Sequence, residues 1–229
     1  MFQKIKNKKV VIFDMDGVLL DSIGVIRDDM KNRYKGITED DFKAIFLENF
    51  WEGIKKFKET AHIKYDIDKK TGKYPVRNND IPLFHGAKEM LESLSEKYKL
   101  VINSSEYHEN IIKRLERNNV LHIFDFIGGK EVSENKIEKF GIILERFGVS
   151  SEEVIFITDT IGDISESDKA GIESIAVTWG VHSREDFKKQ SFSAMVLVLD
   201  DLADITRLLG ESSGPDKGSE FHVEFPAMS

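Results

Sequence analysis

Residues 10–17 read Val10-Val11-Ile12-Phe13-Asp14-Met15-Asp16-Gly17. Four apolar residues, three of them β-branched, run straight into two carboxylates and a glycine. A short run that is apolar at every position reads as a strand buried on both faces of a parallel sheet. Asp14 and Asp16 then stand at its C-terminal end, where open α/β sheets bind ligands. Side chains two apart share a strand face, and Gly17 lets the chain bend just beyond them. Taken alone, Asp-x-Asp-Gly is also what many surface turns contain, so the rest of the chain decides the reading.

Further runs of this kind occur at 100–102, 124–127, 154–157, 174–177 and 195–199. Amphipathic segments lie between them. The segment 87–98 carries Met90, Leu91 and Leu94 on one face, and 109–118 carries Ile111, Ile112 and Leu115. In 137–147, Phe140, Ile143, Leu144 and Phe147 recur at helical spacing before Gly148, a helix stop. Strands alternating with helices predict an α/β fold, a Rossmann-like three-layer core around a parallel sheet with right-handed crossovers.

The interval between the first two strands is different. Residues 23–34 read as a helix, and Thr38 with Asp41 forms a capping-box pattern ahead of another. Phe42, Ile45, Phe46, Phe50, Ile54 and Phe57 then recur at helical spacing, a stripe read as core packing. Gly72, Pro75 and Pro82 punctuate the polar stretch beyond the stripe. These features predict a small helical domain over 22–82, inserted into a core made of 1–21 and 83–210. The tail 211–229, rich in Gly, Ser and Pro, reads as disordered or as residue left by cloning.

The chain of 229 residues has 33 Lys and Arg against 41 Asp and Glu, a formal charge of −8. That balance argues against a protein built to bind nucleic acid. The charge is uneven. Residues 22–82 hold 13 basic and 11 acidic side chains, a net of +2, which leaves −10 for the rest. A slightly basic insert over an acidic core suits an anionic ligand between them. There is no cysteine, which excludes disulfides, thiolate metal sites and a cysteine nucleophile. No apolar run approaches the roughly 18–20 residues that cross a bilayer. Lys4, Lys6, Lys8 and Lys9 precede an apolar run too short for a signal peptide. The expectation is a cytoplasmic protein without a membrane partner, monomeric by default.

A second pair of acids, Asp159 and Asp163, follows the run 154–157. Opposite Asp14 and Asp16, such a pair concentrates negative charge that a hard divalent cation relieves, and carboxylates with water suit Mg²⁺. The competing reading of Asp159 is a cap on the next helix. After 100–102 come Asn103, Ser104 and Ser105. Hydroxyls and N–H groups at a strand-to-helix turn bind phosphate oxygens, or else cap the following helix. Lys136 precedes a helix, where a lone lysine is usually just solvated.

Taken in order, these pieces resemble the haloacid dehalogenase-like hydrolase superfamily over residues 8–207. Residues 154–164, with Ala170-Gly171-Ile172 and Val177-Thr178-Trp179-Gly180, are similar to its phosphoglycolate phosphatase-like branch. Pro82-Leu83-Phe84-His85-Gly86 resembles the return from that branch's helical cap, and the insert matches its C1-type cap. The resemblance implies that Asp14 is a nucleophile forming an aspartyl-phosphate, and Asp16 the general acid and then base. It implies that Ser104 binds a phosphoryl oxygen and that Lys136 neutralises phosphate and nucleophile. It implies a Mg²⁺ held by Asp14, the carbonyl of Asp16, Asp159 and, directly or through water, Asp163. Thr158 stands where the family often has Gly. Lys136 lacks the usual following Pro, so Lys130 competes with it, as Ser105 does with Ser104.

An Asp at position 16 suits phosphatases and phosphomutases, which must protonate an alkoxide. The implied activity is a Mg²⁺-dependent phosphatase acting on a small phosphorylated metabolite. The alternatives are a mutase of the β-phosphoglucomutase type and a non-catalytic phosphate-binding module; the intact acid set speaks against the module. The insert's Arg27, Lys31, Arg33, Lys55, Lys56 and Lys58 match no specificity motif. Its hinges are expected near Asp21-Ser22 and near 79–82.

Overall fold

The computed structural model describes residues 7–34, 36–60 and 80–210. Lys4, Lys6, Gly72, Pro75, Asn79 and the tail 211–229 lie outside them. The run at 10–13 forms β1 (Val10–Phe13), buried at every position. It lies inside a six-stranded sheet with β2 (Lys99–Asn103), β3 (Phe126–Gly128), β4 (Val154–Thr158), β5 (Glu173–Val177) and β6 (Val196–Leu199). The order is β3-β2-β1-β4-β5-β6 and every pairing is parallel. The chain order reverses at β1, flanked by β2 and β4. That reversal is where doubly wound sheets open a crevice at their carboxyl ends.

Alternation along β1 divides the core. Val11 and Phe13 pack with Met90, Leu91, Leu94, Ile111 and Leu115 of α4 (Ala87–Ser95) and α5 (His108–Arg117). Val10 and Ile12 pack with Phe140 and Ile143 of α6 (Lys136–Phe147) on the other face. Three layers result, with α7 (Ile161–Lys169), α8 (Arg184–Lys188) and α9 (Leu202–Ile205) completing them. Fully burying each such side chain contributes about 1.5–3 kcal/mol before entropy is counted. Gly148 ends α6 at φ 61°, a left-handed turn that glycine adopts without a Cβ clash.

The run at 124–127 is displaced: the strand is Phe126–Gly128. Asp125 is diverted by its side chain, which accepts from Leu100 N at 3.0 Å and pairs with Lys99.

Residues 23–60 make three helices, α1 (Ile23–Arg33), α2 (Glu39–Ile45) and α3 (Phe50–Thr60). Ile26, Met30, Tyr34, Phe42, Ile45, Ile54 and Phe57 form an apolar cluster separate from the sheet, joined by Val181 from the core. The Thr38–Asp41 capping box is present. The stripe from Phe42 to Phe57 is split between two helices. Asn49 Oδ1 accepts from Trp51 N at 3.0 Å and starts α3, and Gly53 lies so close to Ile45 O that a Cβ would stand 2.0 Å from it. Where the chain leaves and re-enters the core, Asp21 N donates to Pro82 O and Phe84 N to Leu19 O. Among the described residues no helix is long and apolar enough to cross a membrane.

Candidate active site

Strand register brings the acids together. Phe13 is level with Ile102 of β2 and Ile157 of β4. Asp14 therefore emerges level with Asn103 and Thr158, and Ser104 and Asp159 stand one residue further along the same carboxyl edge. Asp14 N donates to Ile157 O, Asp14 Oδ1 accepts from Met15 N at 2.8 Å, and Oδ2 is 3.2 Å from Lys136 Nζ. Burial pushes the Asp14 carboxyl well above the usual range. Lys136 pulls it down, and Asp163 and Asp159 push it up again.

Lys136 is the first residue of α6, behind the cap Asn135, whose side chain accepts from Ile137 N. Its side chain is 1% exposed, and Nζ lies 2.5 Å from Asp163 Oδ2. Burial works against its charge, but Asp14 and Asp163 outweigh burial and raise the ammonium's pKa. Asp163 also accepts from Thr158 Oγ1 at 2.8 Å. Burial would raise it, yet Lys136 and Thr158 hold it below the usual carboxylate range. The Thr at 158 thus has a function in the site that a Gly there could not supply.

Asp159 is fully buried and pushed up to about 7, first by burial and then by Asp163. Its Oδ2 accepts from Val181 N at 2.8 Å, while its Oδ1 is buried with no hydrogen-bond partner. It does not cap α7; Thr160 does, accepting from Asp163 N. A Cβ on Gly17 or Gly180 would stand 2.3 or 2.1 Å from Asp159 Oδ2, so both positions require glycine.

Ser104 is buried; its Oγ accepts from Glu106 N and its carbonyl accepts from Lys139 Nζ at 2.6 Å. Neither serine caps α5, whose N-cap is Tyr107 without a side-chain bond. Lys130 stands apart, 3.4 Å above the Trp51 ring centroid and paired with Glu134. Lys136 is the lysine that reaches Asp14.

Two buried cations beside the site escaped sequence reasoning. Lys139, three residues after Lys136, is pushed down to about 8 by burial, with Lys136 adding to the shift. Arg114 on α5 is fully buried, with Nη1 3.3 Å from Asp16 Oδ1. The signal for both was a charged residue on the helix face that carries the apolar stripe. The Asp16 side chain therefore turns toward Arg114, and Asp163 Oδ2 is occupied by Lys136 and Thr158.

A cavity of about 660 Å³ opens above these groups. Asp14, Asp16, Ser104, Ser105, Lys136, Asp159 and Asp163 line its floor, and Ile26, Met30, Phe50, Trp51 and Ile54 line its roof. Of the insert's described basic residues, Arg33 and Lys58 line it, and Arg33 pairs with Asp29 at 2.8 Å.

A family model described as haloacid dehalogenase-like hydrolase matches residues 11–177. The chain belongs to that family. Among haloacid dehalogenase-like hydrolases it is 28% identical over 202 residues to a phosphorylated carbohydrates phosphatase of Thermotoga maritima, covering 79% of this chain and 88% of that one. It is 24% identical over 230 residues to a phosphoglycolate phosphatase of Aliivibrio fischeri, covering 87% and 98%. A haloacid dehalogenase-like hydrolase from Streptococcus pneumoniae shares the fold with a TM-score of 0.63 at 20% identity, covering 88% of this chain and 99% of that one.

Proposed function

We propose that this hydrolase is a Mg²⁺-dependent phosphatase that cleaves a small phosphorylated metabolite through an aspartyl-phosphate on Asp14. The observation that carries this reading is the buried Lys136 ammonium, 3.2 Å from Asp14 and 2.5 Å from Asp163, at the floor of a cavity that Asp16 also lines. A dianionic phosphate approaching an anionic nucleophile needs such a cation beside it. Similarity to two phosphatases supports the same substrate class.

Among the described residues, no group of three or more His, Cys, Asp or Glu side chains is arranged to hold a metal ion. The donor chemistry nevertheless fits Mg²⁺, which is typically held by one or two carboxylates, waters and the substrate's phosphate. Asp159 Oδ1, buried and without a partner, is the kind of oxygen a hard cation takes up. Asp14 and Asp159 would hold the ion, with the Asp16 carbonyl and with Asp163 directly or through water. Bound there, it would neutralise charge on the phosphate and on the nucleophile.

The chain's own residues then divide the work. Asp14 attacks phosphorus, and Asp16 gives its proton to the departing oxygen. Lys136 and the Ser104 loop hold the phosphoryl oxygens. Water next attacks the aspartyl-phosphate while Asp16 takes back a proton, which returns Asp14 and releases phosphate. The roof excludes bulk water while substrate is bound. A phosphate-release screen over phosphorylated metabolites, with Mg²⁺ or EDTA, tests this on wild type and Asp14→Asn. Release should stop with EDTA and with the variant. Full activity in Asp14→Asn defeats the mechanism, and bisphosphate-dependent isomerisation without release turns the reading to a mutase.

A further inference from the structure

Arg114 lies in the middle of α5, on the face that packs against the sheet with Ile111 and Leu115. It is the largest of the fully buried side chains among the described residues. A guanidinium does not give up its proton, so its charge is buried with it. Its pairing is sparse. Nη1 donates to Asp16 Oδ1 at 3.3 Å and Nη2 is 3.5 Å from Glu106 Oε2. Nε and Nη2 are buried with no hydrogen bond. Packing alone is a poor reason for an arginine here, because an apolar side chain of similar volume generally serves a core at least as well as a buried ion pair.

Its two carboxylate partners explain it better. Asp16 comes from the turn after β1, and its backbone is bridged to Leu20. Glu106 belongs to the turn that carries Ser104, and it accepts from Tyr107 N and Asn110 Nδ2 through Oε1. Glu106 N in turn bonds Ser104 Oγ. Arg114 therefore sits between the two loops that the phosphatase reading uses for proton transfer and for phosphate binding.

We propose that Arg114 is a positioning residue for Asp16: its guanidinium holds Asp16 Oδ1 and thereby presents Oδ2 to the leaving oxygen of the substrate. This rests on the phosphatase reading and specifies its first step. The Asp14 oxygen forms a bond to phosphorus, and the ester P–O bond breaks. The bonding pair goes to the leaving oxygen, which takes the proton from Asp16 Oδ2. Asp16 is left as a carboxylate with Oδ1 still facing Arg114. An orientation of this kind matters in proportion to how much the leaving oxygen needs a proton. Alkoxides need one, whereas a nitrophenolate departs without it.

The test uses that difference. Wild type, Arg114→Lys, Arg114→Met, Asp16→Asn and the double variant Asp16→Asn/Arg114→Met are compared with Mg²⁺ on p-nitrophenyl phosphate, phenyl phosphate and glycerol 2-phosphate. The quantity read is kcat/KM, which reports the first cleavage. Arg114→Met should lose about 100-fold on glycerol 2-phosphate, the lower end of what a general acid supplies. It should lose no more than about threefold on p-nitrophenyl phosphate, with phenyl phosphate between. Arg114→Lys should recover part of the loss on glycerol 2-phosphate. In the Asp16→Asn background, Arg114→Met should add almost nothing, because the two act as one unit.

Equal losses on all three esters, or an undiminished loss in the double variant, overturn the proposal. Should Arg114→Met fail to fold by thermal melting, Arg114→Lys decides the matter: a loss that grows with leaving-group basicity supports the proposal, and a uniform one rejects it. The underlying reading fails separately, when wild type cleaves none of the esters or Asp14→Asn remains active. If Asp14→Asn is inactive and the Arg114 variants show no dependence on leaving group, only the role of Arg114 falls.

Discussion

At and beneath the floor of the cavity, Asp14, Asp159, Asp163, Lys136 and Lys139 are buried together at the carboxyl edge of the sheet. The roof, α1–α3, buries Ile26, Met30, Phe42, Ile45 and Phe57. Its charges sit at the rim, in pairs such as Arg27–Glu39 and Lys56–Glu48. Exposed pairs of that kind contribute about 0–1 kcal/mol each, so the roof's stability comes from apolar area. The floor is the reverse. Burial raises the pKa of Asp14 and Asp159 and lowers that of Lys139, so these groups oppose folding where they are charged. Several polar contacts among the described residues join the two regions. Gly162 N donates to Phe46 O at 2.9 Å, Asn49 Nδ2 bonds Glu166, and Lys43 pairs with Asp186.

The sharpest way to break this contrast is Asp14→Asn. Activity should fall by a factor on the order of 10⁴, because a carboxamide cannot act as the nucleophile. Stability without metal should stay level or rise. The Asp14 carboxyl is raised above its unfolded value, so at neutral pH its ionised form costs folding energy, and the variant removes that cost. A lower melting temperature for the variant would show that the floor is not strained as described.

In the roof, Phe42→Ala should cost about 3–5 kcal/mol in a urea melt, the usual loss for a buried Phe. The turnover of whatever protein remains folded should be nearly unchanged. If kcat collapses along with stability, the two regions are one unit and the contrast is lost.

His182 lies at their seam, 1% exposed, its Nδ1 accepting from Ile161 N at 3.2 Å. Burial, with Lys43 adding to it, pushes its pKa down to about 4. The unfolded chain therefore binds more protons below pH ~6.5, where an unperturbed His titrates. The stability that neutral His182 provides is complete above pH ~6.5 and is lost as pH falls toward 4. By pH 5 the loss should be about 2 kcal/mol. Melts of wild type and His182→Gln at pH 7 and 5 check this; equal acid losses in both would remove His182 from the account.

The smallest effect expected is from Gly162→Ala. A Cβ there would stand 2.1 Å from Glu48 O and push the roof off its seat. KM should rise about tenfold with a smaller change in kcat, since the added methyl meets the roof's backbone at Glu48 rather than a floor side chain. Steady-state kinetics on the best substrate would sharpen the boundary between the regions, and an unchanged KM would mean that the roof's seating does not govern binding.

Legibility in the sequence followed the same division. The strands could be read because runs such as 154–157, apolar at every position, have few other uses in an α/β chain. The helices of the core could be read because Met90, Leu91 and Leu94 or Phe140, Ile143 and Leu144 repeat with a helical period. The break in the stripe at Asn49 could not, because Phe46 and Phe50 keep that period across the turn that separates α2 from α3. Arg114 and Lys139 were hidden for a related reason: a charge on an apolar face reads as solvated until its partner is known, and Asp16 lies 98 residues from Arg114.

The sequence by itself determined the alternation of strands and helices, the helical insert after β1, and which carboxylates stand at strand ends. Such features follow from side-chain period and turn chemistry among near neighbours. Only the tertiary structure decided that Lys136 rather than Lys130 reaches Asp14, that Thr158 and Lys136 together hold Asp163, and that Asp16 faces a buried guanidinium. These are electrostatic pairings between distant parts of the chain. Their strength depends on distance and on exclusion of water, and both come into being only when the sheet brings its loops to one edge.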